Sequence, residues 1–93
     1  MAELRAEIDL LDRRVVDMLA IRKTYMEQAA DIKQSRDTVR DNDHVEEVVT
    51  KVTNHAIKSG ADRELVSRLY RTMIEWSINY EFGKFDEIKK SND

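Results

Sequence analysis

From Leu4 to Ile32 one apolar seam runs without a break: Leu4, Ile8, Leu11, Val15, Met18, Arg22, Tyr25, Ala29 and Ile32 recur at spacings of 4, 3, 4, 3. Such a heptad rhythm predicts a single long packed helix. Spanning residues 3–35, it would measure about 50 Å at 1.5 Å per residue. A chain of 93 residues folded on its own would bury only about 60–65% of its unfolded surface. The rest of the chain is too short to cover so extended a stripe, so the rod is expected to lie alongside a second copy of itself. An intertwined homodimer is the expectation that follows from helix length.

The remainder reads as two more helices. Ser35 to Asp41 interrupts the seam with polar, turn-prone residues, and Asp41-Asn42-Asp43 offers helix N-caps; Asp43, with Glu46 three residues on, fits a capping box. A second helix should start near residue 42. Its apolar set Val45, Val49, Val52 and Ala56 has helical spacing, although the Val and Thr content would also suit a strand. Gly60 fits a C-terminal cap and Asp62 the next N-cap, after which Leu65, Val66, Leu69, Tyr70, Met73 and Ile74 open a third helix reaching about Lys90. Met73, Ile74, Trp76, Ile78, Tyr80, Phe82 and Phe85 cover nearly every face, so this stretch is expected to be heavily buried. There is no proline to break these patterns. The expected fold is all-α, a three-helix chain with a long first helix, forming one domain over residues 1–93.

Composition narrows the function. Sixteen basic against nineteen acidic residues leave a net charge of −3, which does not point to nucleic acid as a partner. Cysteine is absent, and the two histidines, His44 and His55, lack metal-ligand spacing, so neither a cysteine nucleophile nor a metal site is expected. The segment MAELRAEIDLLDRR is charged from its third residue and suits neither a secretion signal nor a membrane span. A cytoplasmic protein without membrane partners is expected.

Several polar residues stand where the pattern asks for apolar ones. Arg22 is the charged member of the first seam, and an unpaired buried guanidinium costs several kcal/mol. One reading pairs it with an acidic residue of another helix; the other gives it an anionic ligand. Lys33, eleven residues on, returns to within about 20° of Arg22 around the helix, some 16 Å along the axis. Met26, Ala29 and Ala30 lie between them, and the two alanines leave a concavity in which a small dianion could be held from both ends. On the third helix Ser77 and Glu81 form an i, i+4 pair on a core-type face. Burial among aromatic residues favours the neutral acid, which can donate a hydrogen bond; a plain ion pair with Arg22, Lys33 or Lys84 is the alternative. Asp41 is explained equally by helix capping.

The blocks LRAEIDLLDRRVVDMLAIRK, the lysine at position 33, TVRDNDHVEEV and LYRTMIEWSINYEFGKF together resemble the all-α chorismate mutases over nearly the whole chain. That resemblance implies an intertwined dimer whose long first helix is shared between two active sites, and the conversion of chorismate to prephenate by intramolecular rearrangement, with neither metal nor cofactor. It implies that Arg5 reaches into the partner's site, that Arg22 and Lys33 bind substrate within their own chain, that Asp41 lies near the substrate hydroxyl, Ser77 near a carboxylate, and Glu81 at the ether oxygen. Arg5 is seventeen residues, about 25 Å, from Arg22, so one chain cannot bring both to one small ligand. Two departures stand out. His44 and Val45 occupy positions where many members carry an Arg-Glu pair, with Arg40 nearby as a substitute cation, and Glu81 stands where glutamine is common. The apolar Val45 also resembles the related isochorismate-pyruvate lyases. These lyases, an amino-deoxychorismate mutase, and a non-catalytic helical dimerisation module are the alternatives.

Overall fold

The computed structural model describes residues 1–33 and 35–92, with the side chains of residues 91 and 92 outside that description. Among them are three α-helices, α1 (Ala2–Ile32), α2 (Asn42–Ser59) and α3 (Arg63–Asn92), and a short 3-10 turn at Arg36–Thr38. The fold is all-α, and the Val/Thr-rich segment is helical. Its threonine at position 53 satisfies its hydroxyl by donating to the carbonyl of Val49 one turn back. Val49 and Ala56, seven residues apart on one face, are both buried.

The helix ends follow local chemistry. Asp41 caps α2, its carboxylate accepting from the backbone N–H of His44 at 3.1 Å. The capping box expected at Asp43 does not form, because Glu46 turns outward to a two-pronged pair with Arg71 at 2.9 Å on each prong. At the far end Gly60 has φ +80°, the left-handed conformation that glycine adopts without a Cβ penalty, and the N–H of Ala61 returns to the carbonyl of Ala56. Asp62 then caps α3 by accepting from Leu65 N–H at 2.9 Å.

Side-chain pairs fix the topology. Arg22 meets Ser77 and Lys33 meets Glu81, so α1 and α3 run in the same direction. Arg40 meets Glu75 and Glu46 meets Arg71, so α2 runs against α3. The core gathers Ala30, Val39, Val49, Ile74, Ile78 and Phe85 from the last part of α1, the connecting segment, α2 and α3. Residues 1–21 contribute nothing to it and are all exposed. The molecule accordingly measures 56 × 27 × 15 Å. Burial along residues 73–85 is narrower than expected. Ile74, Ile78 and Phe85 are buried, but Trp76 is 54% exposed and stacks on Tyr80 at 5.0 Å between ring centroids. Among the described residues the third helix packs against α1, α2 and the 3-10 turn, and Trp76 lies outside the core.

Candidate active site

A cavity of about 310 Å³ lies where the second half of α1, the start of α2 and the middle of α3 converge. That volume is at the lower end of the range of small-molecule clefts, roughly 300–1,000 Å³. From α1 come Arg22, Met26 and Ala29, and from its C-cap comes Lys33; the spacings of 4, 3 and 4 keep all four on one side. From α3 come Ile74, Ser77, Ile78 and Glu81, again one face. The remaining wall is Thr38, Val39, Asp41, His44, Val45 and Val48. The concavity beside Arg22 is formed by Ala29 alone of the two alanines, since Ala30 is 1% exposed and packs into the core.

Each of the two α1 cations is held by one residue of α3, and the two holders sit one turn apart. Arg22 donates to the hydroxyl of Ser77 at 2.6 Å, and Ser77 donates in turn to the carbonyl of Met73 at 2.8 Å. Ser77 thereby orients the guanidinium without neutralising it, and its own proton is already engaged. Among the described residues no carboxylate pairs with Arg22, so the ion-pair reading of this position does not apply. Lys33 lies 3.0 Å from the Glu81 carboxyl, with side-chain exposures of 25% and 6%. Here the ion pair does form, and it lies in the cavity wall. Glu81 thus meets Lys33 in the cavity wall, the pairing that the ion-pair reading gave it.

Asp41 caps α2 and also lines the cavity. His44 is on the rim, its Nδ1 3.6 Å from the exposed carboxylate of Glu47. Val45 presents an apolar wall. Arg40, the substitute cation, does not line the cavity; its guanidinium forks onto Glu75 at 3.1 and 2.6 Å. Those hydrogen bonds hold the Glu75 carboxyl below the ordinary glutamate range, helped by the charge of Arg40, and raise Arg40 in turn. On the outer face the Tyr80 hydroxyl donates to Glu27, which pushes the phenol above its usual value.

Of the eight positions singled out in the sequence, the structure brings Arg22, Lys33, Asp41, His44, Val45, Ser77 and Glu81 to this one cavity. Arg5 is exposed on the bare end of α1 and is not among the lining residues. Sequence reasoning missed Thr38, Val39, Val48, Ile74 and Ile78 as lining residues. For Ile78 a signal existed, since Ile74, Ser77, Ile78 and Glu81 share the i, i+3, i+4, i+7 pattern; for the connecting segment there was none. No group of three or more potential metal ligands occurs among the described residues, and no helix among them is long and apolar enough to cross a membrane. Chemically, a guanidinium held by a neutral hydroxyl, with a lysine–carboxyl pair in the same partly apolar cleft, suits a small anionic molecule bound by charge-assisted hydrogen bonds.

The family model for chorismate mutase type II matches residues 4–82, which include every lining residue of the cavity. No curated protein matches the chain.

Proposed function

The chain belongs to the type II chorismate mutase family, and from that premise we propose that it is an isomerase converting chorismate to prephenate, acting as a homodimer in the cytoplasm with residues 1–93 as one catalytic domain. The observation that carries this reading is the placement of Arg22 on α1 and of Lys33 at its C-cap, both lining one cavity, with Arg22 oriented by a neutral hydroxyl instead of cancelled by an acid. A cation held ready in this way is poised for a carboxylate from outside the chain.

In the rearrangement the ether C–O bond breaks as a new C–C bond forms within the same molecule, so no nucleophile and no net proton transfer are required. Arg22 fixes one carboxylate and Arg5 of the partner subunit the other, holding the substrate in the compact conformer from which both bond changes proceed. Negative charge grows on the ether oxygen, and Lys33 donates to it. Preorganised donors of this kind contribute about 3–4 kcal/mol each to the transition state. Glu81 keeps Lys33 in position. Asp41 receives the substrate hydroxyl.

Two bare stripes support the dimer. Leu4, Ile8, Leu11, Val15 and Met18 are each about half exposed or more on α1, and Leu65, Leu69 and Trp76 are likewise exposed on α3. Covering the exposed half of a side chain of this size gains about 1 kcal/mol, so the five α1 positions alone favour association by roughly 5 kcal/mol per chain before its entropic cost. In this dimer Arg5, which does not line the cavity of its own chain, completes that of the partner.

A second reading has one observation in its favour. Val45 forms an apolar wall at a position where the resemblance supplies an acid for the substrate hydroxyl, which suits an isochorismate-pyruvate lyase. Purified protein given chorismate and then isochorismate separates the two. Prephenate from chorismate is the expected result, lost on Lys33→Ala with the fold intact; pyruvate from isochorismate without any prephenate would defeat the mutase assignment, and inertness towards both would favour a non-catalytic dimerisation module.

A further inference from the structure

The segment joining α1 to α2 is fastened to α3 by side chains. Among its described residues the backbone closes a 3-10 turn, Thr38 N–H donating to Ser35 and Val39 N–H to Arg36. Short turns of this kind are not rigid by themselves. Arg36 lays its guanidinium 4.4 Å over the Phe82 ring and donates to Asp86 at 3.2 Å, and Val39 is buried in the core. Arg40 then forks onto Glu75, one nitrogen to each carboxylate oxygen. In the chain, Arg40 immediately precedes Asp41, the cap of α2, and Glu75 lies two residues before Ser77. The fork therefore ties the end of α2 that carries Asp41, His44 and Val45 to the turn of α3 that carries Ser77.

We propose that Arg40 and Glu75 act as a positioning pair, which sets the separation of α2 from α3 and so the width of the cavity, and that Arg40 is not a ligand for the substrate. Neither residue lines the cavity, and the side chains are 39% and 55% exposed. An ion pair this accessible contributes little to global stability. A bidentate guanidinium–carboxylate contact nevertheless fixes both distance and angle, which a lysine cannot do. The alternative is that Arg40 leaves Glu75 to bind a substrate carboxylate. The two accounts make opposite statements about removing Glu75, which would disturb a positioning pair but liberate a ligand.

The proposal rests on the mutase reading only for its kinetic readout, so the test has one arm that does not. In the full chain, Arg40→Ala, Glu75→Ala, the double variant, Arg40→Lys and the exchange Arg40→Glu with Glu75→Arg are compared. Amide hydrogen exchange in the first turn of α2 should quicken about equally in both single variants, while the protection of α2 near Gly60 stays unchanged. If the first turn is unaffected, the proposal is overturned whatever the enzyme does. With chorismate, each single variant should lose about fivefold in kcat/KM and the double variant no more than either, because the two residues act as one unit. Arg40→Lys should not restore activity, and the exchange should restore part of it. A loss near a hundredfold in Arg40→Ala, with Glu75→Ala at or above the parent rate, would instead make Arg40 a substrate ligand. Absence of turnover in the parent would count against the mutase reading and leave the exchange arm to decide the proposal.

Discussion

Replacing Arg22 by alanine should separate ligand binding from folding. Arg22 is half-buried, and its hydrogen bond to the protein goes to the neutral hydroxyl of Ser77, which retains its own bond to Met73 when the guanidinium is gone. No buried charge is orphaned by the change. The cost to stability is then one hydrogen bond and some packing of the stem, about 1–2 kcal/mol. Had Arg22 been one half of a buried ion pair, truncation would cost about 3–5 kcal/mol, because the abandoned carboxylate would have no partner. The expected cost to catalysis is larger than that to folding: losing a preorganised cation that fixes a carboxylate should lower kcat/KM by about 10²–10³, or 2.7–4 kcal/mol. Denaturant unfolding at matched protein concentration measures the first quantity, and initial rates of chorismate consumption measure the second. A variant that loses 3–5 kcal/mol of stability while keeping its activity within about threefold would refute the reasoning, since Arg22 would then be structural.

Glu81→Gln keeps the side-chain volume and an acceptor for Lys33 while adding a donor, so kcat should stay level or rise by up to about tenfold; a comparable fall would show that the carboxylate charge itself is needed. Val15→Glu places a charge in the bare seam of α1 and should convert the dimer to monomer in sedimentation velocity, with about a hundredfold loss of kcat/KM as Arg5 of the partner subunit is withdrawn. Unchanged mass would remove the basis for the shared site. Glu75, held below its ordinary value of 4.5 by Arg40, should keep the connecting segment fastened above that pH and release it as pH falls through the lowered value. Amide exchange in the first turn of α2, corrected for intrinsic rate, should therefore be flat from neutrality down to about pH 5 and quicken only in stronger acid.

Regular, local chemistry made most of the fold legible. The heptad seam located α1, Gly60 and Asp62 located the turn between α2 and α3, and the polar residues interrupting apolar faces identified the cations and their holders. These signals lie within one or two helical turns. What sequence could not supply were pairings between residues far apart in the chain: Arg40 with Glu75, Arg36 with Phe82 and Asp86, and Glu46 with Arg71. The last of these displaced the capping box expected at Asp43. Trp76 was misplaced for a related reason. An aromatic residue in an apolar run reads as core, yet a third helix flanked by only two others has a face that this chain leaves bare. Seven of the positions singled out converge on the cavity because helical periodicity puts them on facing sides of the helices and their caps; Arg5 lies on a part of α1 that is exposed throughout.

The most direct test is calorimetric titration of a bicyclic dicarboxylate that mimics the rearranging substrate. One molecule should bind per chain, with affinity falling at least about a hundredfold in Arg22→Ala and in Lys33→Ala while both variants remain folded. Equal affinity in the parent and both variants would mean that this pair of cations does not hold a shared anionic ligand, and the proposed chemistry would fall with it.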